Sequence, residues 1–218
     1  MKLVVFDVDG TLVDSQHHIH GAMTAAFEGA GLDPLPREAV LQIVGLSLPV
    51  AVAQLAPGHD AATQARIVEG YRAAFMQARM AQAAPLYPGA LDCLDGLAGC
   101  RDILLAVATG KSRRGLAAMI AAHGLEGRFV SLQTADDHPS KPHPAMLLAA
   151  LAETGVEPGD AVMVGDTSFD MEMARAAGMT GLGVGWGYHA PEALTASGAA
   201  LVATDFRDLG QALARWAS

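Results

Sequence analysis

Lys2-Leu3-Val4-Val5-Phe6-Asp7-Val8-Asp9-Gly10-Thr11-Leu12-Val13-Asp14-Ser15 is the stretch that decides the fold. Leu3 to Phe6 form an unbroken apolar run, as expected of a strand covered on both faces. The run ends abruptly in Asp7, and Asp9 follows two positions later, with a third acid, Asp14, before Ser15. Carboxylates at the tip of a buried strand repel one another and are costly to desolvate, so they call for a cation or for chemistry that uses them.

Beyond Ser15 the pattern turns helical for a long stretch. Met23, Ala26, Phe27 and Ala30 share one helical face, and Gly31 stands where that helix should stop. Asp33 to Pro36 reads as a turn before Arg37–Val44. Pro57-Gly58 precedes another helix, with Ile67, Tyr71, Ala74, Phe75 and Ala78 on one face. No strand pattern occurs between Gly10 and Pro85. From Tyr87-Pro88-Gly89 onward strands and helices alternate. Ile103–Ala108, Phe129–Leu132, Ala161–Val164, Gly181–Val184 and Ala200–Val202 read as strands. The helices between and after them are marked by Leu91, Leu94 and Leu97, by Leu116, Met119 and Ile120, by Ala145–Leu151, by Met171–Ala177, and by Leu209–Trp216. Such alternation predicts an α/β core: a parallel sheet with helices on both faces, with a small all-helical insertion after its first strand.

Composition narrows the class. A chain of 218 residues, 51% hydrophobic, can bury a core of useful size. No apolar run reaches the ~20 residues of a membrane span, and no signal segment is evident, so no membrane partner is expected. A net charge of −9 disfavours nonspecific nucleic-acid binding. Cys93 and Cys100 have neither metal-ligand nor redox spacing and read as reduced structural thiols of a cytoplasmic protein.

In an open parallel sheet, ligands bind beyond the carboxyl ends of the strands. Asp7-Val8-Asp9 ends the first strand. Thr109-Gly110 ends the Ile103 strand, and Gly165-Asp166 the Ala161 strand, with Asp170 four residues on. Ser140-Lys141-Pro142 precedes the Ala145 helix. All of these should gather on one sheet edge. Clustered carboxylates suit Mg²⁺, which takes oxygen ligands alongside a phosphorylated partner. A carboxylate can attack phosphorus and form an aspartyl-phosphate. A second one can protonate the leaving alcohol and then activate water, help worth ~10²–10⁴ in rate. A threonine hydroxyl, a backbone N–H and a lysine can hold the transferring phosphoryl oxygens.

These four pieces resemble the motifs of the haloacid dehalogenase-like hydrolase superfamily. They are Asp7-Val8-Asp9-Gly10-Thr11-Leu12-Val13-Asp14-Ser15, the threonine of Val107-Ala108-Thr109-Gly110-Lys111, the lysine of Ser140-Lys141-Pro142, and Gly165-Asp166-Thr167-Ser168-Phe169-Asp170. A lone Asp-x-Asp would mean little; the ordered set covers most of the chain. The resemblance implies a Rossmann-like core formed by residues 1–15 and 84–218 and a helical cap of residues 16–83. It implies Asp7 as nucleophile and Asp9 as acid–base residue, whose backbone carbonyl joins the metal shell. Thr109, Gly110 and Lys141 would hold phosphate, and Asp166 would bind Mg²⁺. Asp170 would bind the ion or orient the lysine. The cap turn Val44-Gly45-Leu46-Ser47-Leu48 would reach the site, with Gly45 contributing to specificity.

Within the superfamily, dehalogenases lack the second acid, and phosphonate-cleaving relatives replace it. Asp9 therefore favours phosphoryl transfer. Sugar-phosphate mutases carry a hinge histidine twelve residues after the nucleophile; here that position is Ile19, between His18 and His20. The expectation is a phosphatase similar to phosphoglycolate phosphatases, acting on a small phosphorylated metabolite. A sugar-phosphate mutase is the alternative, as is a phospho-aspartate signalling or binding protein. Bacterial receiver domains gather similar residues but are about half as long and have no cap. Ser15 is read as the cap of the next helix and Asp14 as settling the turn. His17, His18 and His20 are read as solvated or hinge histidines, and Trp186 and Tyr188 as structural aromatics at the core rim. Lys111 is either a helix-start charge or a phosphate contact, and His138 and His143 flank Lys141. The substrate and the oligomeric state are not readable from the sequence.

Overall fold

Strand β1 (Lys2–Phe6) lies in the middle of a six-stranded, all-parallel sheet. The computed structural model describes residues 1–217. The other strands are β2 (Ile103–Thr109), β3 (Ser131–Thr134), β4 (Ala161–Gly165), β5 (Thr180–Val184) and β6 (Ala199–Ala203), in the order β3-β2-β1-β4-β5-β6. Their apolar character follows from burial on two sides. Val4 and Phe6 pack into one cluster with Leu105, Val107, Val162 and Val164, while Leu3 and Val5 pack into another with Ala106, Ala108 and Met163. Alternate residues of each strand thus serve opposite faces.

The first cluster is closed by α5 (Ala90–Ala98), α6 (Arg113–His123) and α10 (Phe206–Ala217); the second by α7 (Ala145–Thr154) and α8 (Ser168–Ala176). A short α9 (Pro191–Ala196) precedes β6. The chain runs outward from β1 through β2 to β3, then returns to β4 on the other side of β1. The strand order therefore reverses beside β1, and a crevice opens beyond the strand ends at such a reversal.

Between β1 and α5 stand α1 (Gln16–Gly29), α2 (Arg37–Leu41), α3 (Leu48–Leu55) and α4 (Ala61–Ala81). They enclose an apolar cluster of their own, including Ile19, Met23, Phe27, Val52 and Ile67. The two linkers to this helical insertion run side by side: Asp14 N–H donates to the Pro85 carbonyl and Tyr87 N–H to that of Leu12, both at 2.9 Å.

Three details differ from the sequence reading. Helix α2 stops at Leu41 instead of continuing to Val44, and turns lead to Gly45, whose φ is +100°. Leu91 is 40% exposed, and the buried stripe of α5 is Ala90, Leu94 and Leu97. Steps of three drift by about 60° around a helix, whereas 90, 94 and 97 stay on one face. Strand β3 lies two residues later than the apolar run Phe129–Leu132 suggests. Its buried side chains include Ser131 and Gln133, bonded to each other at 2.7 Å, so hydropathy alone misplaces it.

Candidate active site

The carboxyl ends of β1, β2 and β4 are neighbours, and each carries its chemistry at the last strand residue or just past it: Thr109 closes β2, while Asp7 and Asp166 follow β1 and β4. Asp7 N–H donates to the Val164 carbonyl at 2.9 Å, which fixes its backbone as an extension of the sheet. Gly10 has φ +85°, and a Cβ there would stand 2.1 Å from Asp166 Oδ2. Glycine at this position lets the β1 loop fold back over Asp166.

Lys141 is the hub. Its ammonium donates to Asp7 Oδ1 and to Asp170 Oδ1, each at 2.7 Å, with none of the three side chains more than 1% exposed. Asp170 also accepts through Oδ2 from the hydroxyl and N–H of Thr167, a capping box that starts α8. The aspartate that begins this helix thereby also orients the lysine. Asp166 accepts from the Thr11 hydroxyl at 2.9 Å and from Tyr188 N–H at 2.9 Å. Asp7, Asp166 and Asp170 present carboxylate oxygens within 4.8 Å of one another.

The electrostatics are one-sided. Burial pushes the Asp7 carboxyl up to about 7, with Lys141 opposing and Asp170 and Asp9 adding to the rise. Burial also pushes Asp166 well above the ordinary carboxylate range, helped by Asp7 and Asp170. Burial alone would lower Lys141, but Asp170 and Asp7 hold it above its ordinary value. Three buried carboxylates face one ammonium, a shortfall equal to the charge of one divalent ion. Asp7 Oδ2 is buried without a hydrogen-bond partner among the described residues. That orphaned oxygen and the all-oxygen donor set fit Mg²⁺, a hard cation.

Asp9 is held apart from this cluster. Lys111 Nζ contacts both of its oxygens, at 2.7 and 2.8 Å, and the Ser15 hydroxyl donates to Oδ1. Ser15 therefore occupies the N-cap position of α1 without capping it. Its side chain answers Asp9 instead, and lies 3.3 Å from the Tyr188 hydroxyl. Lys111 is neither a free helix-start charge nor a cation held open for phosphate. It also lies 4.9 Å from the centre of the Phe75 ring of α4, so it touches the helical insertion.

Thr109 is buried, and its hydroxyl accepts from Lys111 N–H at 3.2 Å. A Cβ on Gly110 would stand 2.7 Å from the carbonyl oxygens of Gly45 and Leu46, so the β2 loop and the insertion's turn meet closely. Ser47 N–H donates to Ser140 Oγ at 2.8 Å across the same seam. Between insertion and sheet edge lies a cavity of about 710 Å³ lined by Asp7, Asp9, Thr109, Gly110, Lys111 and Gly45 among others. Ile19, at the position of the mutase histidine, is buried in its wall. His138 bonds Gln133 and His143 bonds Ala145 N–H; neither lines the cavity. His18 sits against the edge of Phe75, with ring centres 6.2 Å apart.

Sequence reasoning missed the loop after β5. Trp186 does pack as a structural aromatic, 4.6 Å centre to centre from Phe206, and also bonds the Thr11 carbonyl. Tyr188 supports Asp166 through its backbone. His189 is buried, accepting from Ser168 N–H at 3.1 Å and donating to the Gln42 carbonyl of the insertion at 3.0 Å. Its place just past another strand end was the signal that could have found this loop.

A model of the haloacid dehalogenase-like hydrolase family matches residues 4–184. The protein described as probable phosphatase IndB of Dickeya dadantii is 36% identical over 95% of this chain and 91% of its own length. A phosphoglycolate phosphatase of Rhodospirillum rubrum is 35% identical over 96% and 89%. A crystal structure of a hydrolase from Pseudomonas syringae superposes over the whole of both chains with a TM-score of 0.89 at 26% identity. On this likeness, which runs through every strand end described above, the chain belongs to the haloacid dehalogenase-like hydrolase family and is an enzyme, a phosphatase like these relatives.

Proposed function

We propose that the enzyme hydrolyses a small phosphate monoester through an aspartyl-phosphate on Asp7, with Mg²⁺ as cofactor, in the cytoplasm. The observation that carries this reading is Asp7 itself. One oxygen is fixed by Lys141, while the other is buried, without a partner, on a residue that lines the cavity. A carboxylate so held is oriented for attack.

Asp7 attacks phosphorus while Asp9 gives a proton to the departing alcohol oxygen. Asp9 then takes a proton from the water that attacks the phosphoryl group on Asp7, which regenerates the carboxylate and releases phosphate. Thr109, the backbone at Gly110, and Lys141 hold the phosphoryl oxygens as charge spreads over them. Asp7, Asp166 and the Asp9 carbonyl would hold Mg²⁺, with Asp170 in the same cluster. When bound, the ion offsets phosphate charge and lets Asp7 approach an anion. In a chain of net charge −9, Arg79 and Arg114 line the cavity and draw an anionic substrate toward it.

Residues 16–83 act as a cap over the core of residues 1–15 and 84–218, and the turn at Gly45 takes part in substrate selection. The paired linkers and the close meeting of Gly110 with Gly45 support this division. The test is phosphate release from phosphate esters with and without Mg²⁺, together with mass analysis of acid-quenched enzyme. A phosphoryl increment on the Asp7 peptide is expected. Metal-independent turnover, or phosphate on another residue, would refute the reading.

A further inference from the structure

The cavity is far larger than a two-carbon phosphate ester requires. Such an ester displaces roughly the volume of four or five waters, ~120–150 Å³ at ~30 Å³ each. The cavity holds about 710 Å³. That is within the range of pockets that bury ligands the size of a ring system with substituents.

The sheet edge and the insertion contribute different side chains to its walls. The reacting end carries Asp7, Asp9, Thr109 and Lys111. The helical insertion contributes apolar side chains, including Ile19, Met23, Ile43, Leu46, Phe75 and Met76, together with Glu69, Arg72 and Arg79. Phe75 and Met76 are only half-buried, with Lys111 4.9 Å from the Phe75 ring centre and Arg114 donating to Met76 Sδ at 3.2 Å. The Tyr71 and Phe75 rings on this wall stack nearly parallel, 19° apart with centres at 5.6 Å.

The two lysines at the reacting end are committed. Lys111 is paired with both oxygens of Asp9, and Lys141 with Asp7 and Asp170. Next to the phosphate, a short substrate's own carboxylate would meet carboxylates whose ammonium partners are taken. Of the cavity's other cations, Arg79 and Arg114 stand on α4 and α6, with Arg114 donating to Met76 Sδ. Arg72, on the same cavity's wall, is paired with Glu69, and both are exposed.

Resting on the phosphatase reading, we infer that the substrate is a phosphate monoester of a bulky ring-bearing alcohol, aromatic or partly apolar, whose ring packs against Phe75 and Met76. The insertion wall, rather than a charge beside the phosphate, does the selecting. Closing such a wall over a ring removes water from both, a contribution that a short polar ester cannot draw on.

The test compares kcat/KM for primary alkyl phosphates that share leaving-group chemistry and differ in bulk: 2-phosphoglycolate, glycerol 3-phosphate, a hexose 6-phosphate, pyridoxine 5′-phosphate and nucleoside 5′-monophosphates. At least one ring-bearing ester should exceed 2-phosphoglycolate by ~10-fold or more, the scale of discrimination a few apolar contacts supply. Phe75→Ala should reduce that ratio at least ~10-fold. If this variant does not fold, Met76→Trp, which narrows the cavity from a half-buried position, should reduce it as well. A preference for 2-phosphoglycolate in the parent enzyme, or a ratio unmoved by the substitution, would overturn the inference while leaving a phosphatase. Failure to turn over any of these esters, or the acyl phosphate acetyl phosphate, would overturn the phosphatase reading and this inference with it.

Discussion

The sheet edge and the helical insertion face each other across one cavity and are built on opposite principles. At the edge, Lys141, Asp170, Asp166 and Thr11 are buried side chains whose polar atoms are matched over long sequence separations. On the insertion side, the wall is held by an apolar cluster and presents surface without a fixed polar pattern. Charged groups inside a low-dielectric edge must be positioned to fractions of an ångström, because any unpaired charge is costly. Apolar walls tolerate exchange if volume is kept. The edge is therefore suited to one reaction and the insertion to adjustable selection. Asp9 belongs to both: it sits at the edge, but Lys111 holds it and Lys111 rests on Phe75 of the insertion.

Substitutions at the edge should break this contrast most strongly. Asp7→Asn should lower kcat by ~10⁴ or more, while thermal unfolding stays at or above that of the parent without metal, because a buried charge is removed. A variant that retains a tenth of the rate would mean that the nucleophile lies elsewhere.

Lys141→Met should abolish turnover and also destabilise. It leaves Asp7 and Asp170 buried without their cation, a loss of ~3–5 kcal/mol that corresponds to a Tm lower by ~10 °C. Scanning calorimetry and a denaturant titration check this. An unchanged Tm would show that the hub contributes to chemistry alone.

Lys111→Ala sharpens the comparison because it frees the residue shared by both regions. A ~10–100-fold drop in kcat is expected for alkyl esters, which need the proton from Asp9, and only a few-fold drop for p-nitrophenyl phosphate, whose leaving group does not. Equal losses for both esters would assign Lys111 to phosphate binding instead of positioning Asp9.

The smallest effect concerns metal and pH. Asp7 rises from 3.8 to about 7 through burial, so the metal-free folded protein binds more protons than the unfolded chain between those values. Its contribution to stability is present at low pH and lost as pH climbs through 7. Mg²⁺ takes the ionised carboxylate, so the metal-induced gain in Tm should grow across that window. Differential scanning fluorimetry should show a gain of ~5 °C at pH 8 with saturating Mg²⁺ and a smaller one at pH 5.5. Equal gains at both pH values would remove Asp7 from the ligand set.

Gly45 needs a different experiment from the one its sequence position suggests. Its φ of +100° strains any other residue there, so a bulky substitution would test the backbone before it tested selection. Side chains on the same wall, Phe75 and Met76, report on selection without that strain.

The sequence by itself determined the parallel core, the insertion after β1, and the convergence of Asp7, Thr109, Lys141, Asp166 and Asp170. These were legible because they follow from local rules: a two-sided apolar strand, a residue just past its end, and the topology of a parallel sheet. Only the tertiary structure decided who partners whom. Ser15 was expected to cap α1 and instead donates to Asp9. Lys111 stood undecided until it met a carboxylate 102 positions away, and Tyr188 N–H reaches Asp166 from a loop beyond β5. Ser131 and Gln133 form a buried strand that hydropathy places two residues early. In each case a polar group had several possible partners within reach of its own type. The choice was made by which chain segments the packing of the cores brought together, an outcome that no local pattern encodes.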